Sequence, residues 1–547
     1  MSEFNESVSG VETVKKGKAP VVAGITAGIV AVVAGGSVIA YNTSDFVKNK
    51  VKLATLSPKE YYVWINDSNA DKNIEALSES YNRYVDIMGK DSEKGMNVKI
   101  NATYTMSDGV KTLLKSSMGG TDKANKFVDN INNISLSLDE SLFRGVIGYN
   151  LGLDFNDNDI ADLEMFMNYG DLFMLGRVPQ LTEKYLGMDL KSFTSDDDIK
   201  TLDAVAKFYS NPEEILTKEE FRTLAEKYTS LWNDCISDVQ QEKGEEVTVG
   251  NYSNKYTVLT IDMSEEFLES TAEKYINAIK EDETIKDIFI TRLGVCDEET
   301  YIRNLDDAVE SIKADDGDDV NLTFKMYVDA TGKVRGYTLK DENDDGFEYL
   351  FTGENEQTVN GIINFTDSEN GTYLKCNVDY VENDGKYTGS ADMTFTENDE
   401  DEKIVAEFTD LQKVNDEYGY ANGNINLSVN DSAPFAIVLD SDGSSQKASF
   451  DIDIEDINYG NVTLEITSSE ISELNIPDKS NAYIVDKNTN DLEGYVSEED
   501  IINFMSSVVK NIGFAETDEE ARNIVNSYLY GYSAYRDSYS DYNDLIY

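Results

Sequence analysis

The sequence predicts an α+β protein in which a single N-terminal transmembrane helix precedes antiparallel β-meander sheets packed with helices. Three features indicate this class: an uncharged apolar segment near the start, strict apolar–polar alternation with glycine turns after residue 320, and helix-capping sequences before periodic apolar residues. The predicted segments are a cytoplasmic tail (1–18), a transmembrane anchor (19–41), a juxtamembrane helical segment (42–95), an α+β region (96–316), a β-meander (317–475), and C-terminal helices with a tyrosine-rich tail (476–547).

The apolar segment from Ala19 to Tyr41 is long enough, as a helix, to cross a hydrocarbon core of about 30 Å. Lysines at positions 15, 16 and 18 precede it, and basic residues beside a first apolar segment hold that end in the cytoplasm. We therefore predict a single-pass protein of the cell membrane, with the bulk of the chain extracytoplasmic. The alternative is a cleaved signal peptide, because residues 38–40 (Val-Ile-Ala) satisfy the small-residue requirement for cleavage.

The juxtamembrane segment is predicted to be mainly helical from Ser44 to Gly89. Apolar residues recur there at three- and four-residue steps, namely Ile74, Leu77, Tyr81, Tyr84, Val85 and Met88. Gly89 is a stop signal for this helix. Within the segment, residues 61–65 (Tyr-Tyr-Val-Trp-Ile) follow Pro58 and are predicted to form a short strand.

The α+β region alternates between strand and helix signals. Strands are predicted at 98–106, 134–138, 142–155, 163–167, 172–175 and 256–263. Residues 178–181 (Val-Pro-Gln-Leu) are predicted to open a short helix. A capping box at Thr217–Glu220 starts a helix that reaches about Ser237, and further helices follow Ser264 and Asp297.

The β-meander is predicted from alternation and from turn chemistry. Leu322, Phe324, Met326 and Val328 share one face with Val320, and similar runs occur at 387–395, 404–408, 425–429, 435–439, 450–454 and 462–466. The predicted turns are Thr331-Gly332, Asp345-Gly346, Asn370-Gly371, Asp384-Gly385, Asn422-Gly423 and Asp442-Gly443. The apolar phases include Phe324, Met326, Phe395, Phe408, Phe450 and Ile452, and we expect helices to cover them, with Phe324 and Phe450 buried by the protein's own side chains.

The C-terminal segment is predicted to contain two helices. One starts near Ser497 and ends before Gly513, and the other starts at Thr517 with a capping box completed by Glu520. The tyrosine-rich tail from Tyr528 to Tyr547 is typical of a frayed, low-complexity end.

The charge and the missing residue types exclude several classes of function. The formal charge of −58 and the pI near 4.1 argue against nucleic acid as a partner, because a phosphate backbone would be repelled. The sequence contains no histidine, which excludes Ser-His-Asp and Cys-His catalysis and histidine-ligated metal sites. The three cysteines are widely spaced, and Cys376 fits a small core residue of a strand.

No catalytic, cofactor-binding or metal site is predicted. Residues 444–447 match Ser-x-x-Lys but lack its partner motifs, and 341–346 match only the first half of a calcium loop, since Thr352 stands at its twelfth position. A hairpin turn explains the second match better. A carboxylate pair for glycoside hydrolysis stays open, because the acids are too many to single out a pair.

Three segments carry a resemblance to a known group of proteins: the anchor, residues 56–62 (Leu-Ser-Pro-Lys-Glu-Tyr-Tyr), and Val178-Pro-Gln-Leu181 with Tyr185-Leu186. With these the chain resembles membrane-anchored extracytoplasmic proteins of clostridial Firmicutes that have no known function. The meander with its helices is also similar in architecture to lipoprotein-carrier half-barrels, which implies a lipid held between a curved sheet and helices.

Three functions follow as alternatives. The first is a membrane-tethered cell-surface protein with a structural or interaction role, which is not an enzyme and has no cofactor. The second is an extracytoplasmic binder of lipid or another apolar ligand, which would use the apolar sheet face as a wall. The third is a carboxylate-dependent hydrolase.

Overall fold

The computed structural model describes residues 43–194, 198–314, 321–355, 357–368, 371–397, 400–415, 418–430, 435–454, 457–486, 489 and 494–529. Its α-helices are α1 (Thr43–Thr55), α2 (Pro58–Met88), α3 (Asp108–Ser117), α4 (Asp122–Asn130), α5 (Ile199–Ser210), α6 (Pro212–Ile215), α7 (Lys218–Cys235), α8 (Glu265–Glu281), α9 (Glu283–Lys286), α10 (Glu298–Ala314) and α11 (Glu498–Asn511). Residues 518–529 are also helical.

The strands are β1 (Gly95–Met106), β2 (Asn133–Phe143), β3 (Val146–Phe155), β4 (Asn158–Asn168), β5 (Phe173–Arg177), β6 (Leu186–Asp189), β7 (Gln240–Val249), β8 (Tyr252–Met263), β9 (Leu322–Val328), β10 (Val334–Lys340), β11 (Gly346–Asn355), β12 (Thr358–Asp367), β13 (Thr372–Asn383), β14 (Lys386–Glu397), β15 (Glu400–Asn415), β16 (Tyr420–Val429), β17 (Phe435–Ser441), β18 (Ser445–Ile454), β19 (Ile457–Ile471) and β20 (Tyr483–Val485). The predicted α+β class is confirmed.

The chain divides into two compact units. Unit 1 contains the described parts of Met1–Arg83, Glu214–Asn383 and Gly389–Val405, and unit 2 contains those of Tyr84–Glu213, Asp384–Thr388 and Ala406–Tyr547.

In unit 1, seven strands from β7 to β13 pair antiparallel with their neighbours in sequence. The register places Leu259, Met326, Tyr337 and Tyr349 opposite one another along one face of this sheet. Helices α2, α7 and α8 supply the residues that pack on this face, among them Tyr62, Trp232 and Leu268. Phe324 is only 2% exposed, as predicted.

The opposite face of the unit 1 sheet is closed by the curl of the sheet itself. Strand β8 contacts β11, and β7 contacts both β11 and β12. The Asn254 side chain donates to the Gly353 carbonyl at 2.7 Å, and the Thr352 hydroxyl donates to the Val249 carbonyl at 3.2 Å. Part of the opposite face is therefore also covered within unit 1.

In unit 2, the sheet order is β16-β17-β18-β19-β1-β2-β3-β4-β5-β6-β20. All pairs are antiparallel except β6 with β20, which is parallel. The predicted meander of consecutive antiparallel strands is confirmed. Strands from earlier in the sequence extend it, because β8 pairs with β9 in unit 1 and β1 pairs with β19 in unit 2.

Several helix starts are confirmed with their caps. Thr217 and Glu220 form a reciprocal capping box at the start of α7, and Ser497 forms one with Asp500 at the start of α11. Ser264 caps α8 through the Phe267 amide. At the last helix the Thr517 hydroxyl accepts a bond from the Glu520 amide at 3.1 Å, but the Glu520 carboxylate accepts from the Glu516 amide at 2.9 Å, so the predicted capping box is only half formed.

The predicted strand at residues 61–65 is wrong, because these residues lie in α2. The Glu60 carboxylate accepts bonds from the Ser57 amide and hydroxyl, both at 2.8 Å, and Pro58 stands at the first helical position, where a missing amide proton costs nothing. Tyr61 and Ile65 are four residues apart and both buried, so they share a helix face.

Three further predictions are corrected. Residues 178–181 form a turn, closed by the Leu181 amide on the Val178 carbonyl, and strand β6 follows instead of a helix. Asn422-Gly423 lies inside β16, where a side chain at Gly423 would meet the Leu411 Cα at 2.7 Å. The run 142–155 is also interrupted, since Arg144 and Gly145 form a turn with positive φ between β2 and β3.

The predicted anchor (19–41), Val320 and the end of the tyrosine-rich tail lie outside the described residues. Among the residues that are described, no helix combines the length and the apolar character needed to span a membrane.

Candidate functional site: an apolar sheet face in unit 2

Apolar residues of unit 2 form continuous rows across the sheet. One row links Leu439, Ala448, Leu464, Ala102, Leu136, Leu153 and Ala161 from β17 to β4. The row on one side links Ile466, Ile100, Leu138, Leu151 and Leu163, and the row on the other side links Phe450, Val462, Tyr104, Ile134 and Phe155. We call these three rows the open apolar face.

The other side of the same strands is polar. It carries Asn101, Thr103, Ser135, Ser137 and Glu465, and the hydroxyls of Thr103 and Ser135 lie 2.9 Å apart. Alternation along each strand separates the two sets, since successive side chains point to opposite faces. The sheet of unit 2 is therefore amphipathic from β18 to β4.

The open apolar face is accessible to solvent. Leu136 is 59% exposed, Leu151 40% and Leu153 37%. Of the side chains in the three rows, Phe155 alone is buried, and the others are partly or largely exposed. Phe450 is only partly buried, with its ring edge-on to Phe435 at 6.5 Å, so the prediction that its own protein buries it is wrong.

Two of the described helices, α4 and α11, cover one end of this face. Phe155 belongs to a small cluster with Ile131 and Ile160, against which Phe127 and Val508 pack. Phe127 lies on α4 and Val508 on α11. The rings of Phe127 and Phe155 stack at 6.5 Å, and the Phe514 ring meets Phe127 edge-on at 5.4 Å. We call this the capped end of the face.

Toward the other end, the apolar surface is interrupted by a polar pair. Glu140 and Tyr149 are register partners on β2 and β3, on the same side as Leu138 and Leu151. The Tyr149 hydroxyl donates to the Glu140 carboxylate at 3.3 Å. Partial burial, and then the neighbouring charge of Glu140, raise the pKa of Tyr149, which stays a neutral donor.

A polar cluster on the opposite side of β4 has a structural role. Arg177 donates to the Glu164 carboxylate at 2.7 Å, and the Tyr185 hydroxyl donates to it at 2.5 Å. Partial burial and then the bond to Glu164 raise the pKa of Tyr185 to about 12. The Gln180 amide donates to Asp159 at 2.9 Å and to Asp162 at 2.8 Å. These bonds fix the turn at 178–185 on the sheet.

The motifs singled out in the sequence form turns. The Asp341 carboxylate accepts bonds from the amides of Asn343 and Asp345, both at 2.8 Å, which confirms a hairpin turn. Ser444 donates to its neighbour Asp442 at 2.7 Å in the β17–β18 turn. Cys376 is half-buried on β13. Within the described ranges, no group of three or more histidine, cysteine or acidic residues is arranged to hold a metal ion.

Sequence reasoning identified Phe450 but missed most of the open apolar face, including Glu140 and Tyr149. The alternation in 98–106 and 134–138 was a usable signal, but the pairing of β1 with β19 joins residues more than 350 positions apart.

No family of known proteins matches this chain, and no curated protein matches it either. The resemblance to clostridial membrane-anchored proteins stays a prediction.

Proposed function

We propose that this is a membrane-tethered extracytoplasmic protein that binds the acyl chain of a lipid on the open apolar face of unit 2. The observation that carries the proposal is the set of three register rows, aliphatic for the most part and partly exposed across seven strands. Burying one fully exposed leucine side chain is worth about 1.5–3 kcal/mol, and Leu136, Leu151 and Leu153 are 59%, 40% and 37% exposed, so an occupant that covers all three gains about 2–4 kcal/mol.

The composition of the face favours a hydrocarbon chain over a protein. Protein interfaces are rich in tyrosine, tryptophan and arginine and form roughly one hydrogen bond per 100–200 Å². The three rows consist mainly of leucine, isoleucine, valine and alanine, with Tyr104 as their one hydroxyl group, and its proton is donated to the Tyr459 carbonyl at 2.6 Å. An acyl chain needs no directional bonds. The predicted anchor at 19–41 would also keep the face near a bilayer that supplies such chains.

A photo-crosslinking amino acid placed at Leu136 in the full chain, in intact cells, tests this function. The matched control is the same amino acid at Asn101, which is exposed on the polar side of the neighbouring strand. Mass spectrometry should find lipid adducts at position 136 and none at position 101.

The other outcomes of this experiment decide against the proposal. Protein adducts at position 136 would instead support the structural or interaction role. Equal labelling at positions 136 and 101, or none at either, would also overturn lipid binding.

The topology is a separate part of the proposal. The apolar segment and the basic residues that precede it predict that protease added to intact cells removes the region beyond Tyr41 and leaves a membrane-bound stub. Full protection of that region would mean that the orientation is inverted.

A further inference from the structure

The polar interruption of the open apolar face indicates which headgroup it accepts. Glu140 is the one charged residue that β1–β4 place on this side of the sheet within the described chain. Val98 and Tyr149 stand opposite it on the neighbouring strands, and Leu138 and Leu142 stand on the same side of β2.

No described lysine or arginine neutralises Glu140. The nearest basic residue on β1, Lys99, lies on the polar side and pairs with Asp139 at 3.1 Å. The bond from Tyr149 satisfies one acceptor position, whereas an ionised carboxylate offers about four. An apolar ligand laid over this carboxylate would strip it of water without replacing the lost bonds, which is costly.

A protonated amine removes this cost, because it pairs with the carboxylate through short, charge-assisted hydrogen bonds. An anionic headgroup would instead be repelled by Glu140 and by the formal charge of −58.

The distances along the strand fit this arrangement. Glu140 lies six residues along β2 from Ile134, which is roughly 20 Å at about 3.4 Å per residue. Ile134 packs against the cluster at the capped end. An acyl chain that starts at Glu140 therefore has room for the depth of one leaflet, about 15 Å.

We infer that the open apolar face selects membrane lipids whose headgroup carries a protonated amine, with Glu140 as the counter-ion, Tyr149 holding its carboxylate, and the chain running toward the capped end. This inference rests on the proposed lipid binding.

The test uses the full chain in neutral phosphatidylcholine nanodiscs with three photoactivatable 16-carbon probes that end in an amine, an alcohol or a carboxylate. Wild-type protein should be labelled on β1–β3 by the amine at about one-tenth the concentration needed for the alcohol, and least by the carboxylate. Glu140→Gln should abolish the preference for the amine while labelling by the alcohol persists.

The matched control is Glu465→Gln, which removes one negative charge from the polar side of β19. It should keep the preference for the amine, so that a general attraction of cations to this acidic protein is distinguished from recognition by Glu140. Tyr149→Phe should weaken the preference without removing it.

Two results would count against these ideas in different ways. Equal labelling by amine and alcohol, or a preference that survives Glu140→Gln, overturns the headgroup inference and leaves lipid binding intact. Failure of all three probes to label β1–β3 overturns lipid binding itself.

Discussion

Units 1 and 2 are built alike, each around an antiparallel sheet of strands that are mostly neighbours in sequence, with one apolar side. In unit 1, that side is packed under α2, α7 and α8, so that Leu259, Met326 and Phe324 are almost fully buried. In unit 2, the described helices α4 and α11 pack at the capped end, and Leu136 and Leu151 remain exposed.

This difference shows that apolar–polar alternation predicts which side of a sheet is apolar, but not whether helices will cover that side. In unit 1 the cover is specific: the Trp232 indole donates to the Tyr62 hydroxyl at 2.9 Å, and Tyr275 donates to the Tyr228 carbonyl at 2.7 Å. A sheet face with such partners is a core. An apolar sheet face that lacks such packing partners keeps exposed apolar surface that a ligand can cover.

The largest expected effect comes from placing a charge on each face. Leu259→Asp buries an unpaired carboxylate in unit 1 and should cost more than about 4 kcal/mol, whereas Leu136→Asp in unit 2 should change stability by less than about 0.5 kcal/mol. Urea unfolding followed by the fluorescence of Trp64 and Trp232, which both belong to unit 1, measures the effect of Leu259→Asp, and hydrogen exchange of β1–β4 in the full chain measures the effect of Leu136→Asp. Comparable destabilisation by both substitutions would show that the unit 2 face is also a core.

Truncation of one aromatic residue in each sheet gives the next largest difference. Phe324→Ala should destabilise unit 1 by about 3–5 kcal/mol, because the ring is fully buried. Phe450→Ala should destabilise unit 2 by about 1–2 kcal/mol, since part of the ring already contacts water. Hydrogen exchange of the two sheets in the full chain measures both values, and equal losses would contradict the comparison.

A third prediction concerns the ion pair that ties α7 to the segment after α9 in unit 1. Arg292 donates two bonds to Glu220, both at 2.7 Å, and these bonds lower the pKa of Glu220 to about 2 from its ordinary 4.5. Because the folded pKa is depressed, this stabilisation is present above pH 4.5 and is lost as the pH falls toward 2.

Arg292→Gln should therefore cost about 2 kcal/mol near pH 7. It should also make the free energy of unfolding of unit 1 depend less on pH between 4.5 and 2. The control is Arg303→Gln, because the Arg303 side chain is exposed, and it should leave this pH dependence unchanged. An unchanged pH dependence of stability in Arg292→Gln would show that this ion pair does not stabilise unit 1.

The smallest expected effect concerns the stability of the turn at 178–185, which joins β5 to β6 near one edge of the unit 2 sheet. Gln180→Ala removes the bonds to Asp159 and Asp162 and should cost about 1 kcal/mol, with faster proteolysis within 178–185. Gln240→Ala in unit 1 removes a single exposed bond to Asp262 and should change stability by less than about 0.5 kcal/mol. Unchanged proteolysis of Gln180→Ala would show that Arg177 and Tyr185 suffice to hold this turn.

The sequence by itself determined the elements whose signals are local. The caps at Thr217, Ser264 and Ser497 fixed three helix starts, and alternation with Asp-Gly turns fixed the meander, because capping bonds and turn conformations involve residues only a few positions apart. It failed at 61–65, where β-forming aromatic residues were placed in a helix by the Ser57–Glu60 cap and by burial against Trp232.

Only the tertiary structure decided which apolar side became a core. Leu136 and Phe324 stand in similar alternating strands, yet one is exposed and the other buried. Likewise Glu140 gained its apolar neighbours through pairing with β1 and β3. The physical reason is that burial depends on partners brought together from distant parts of the chain, whereas local pattern records only the side on which a residue will stand.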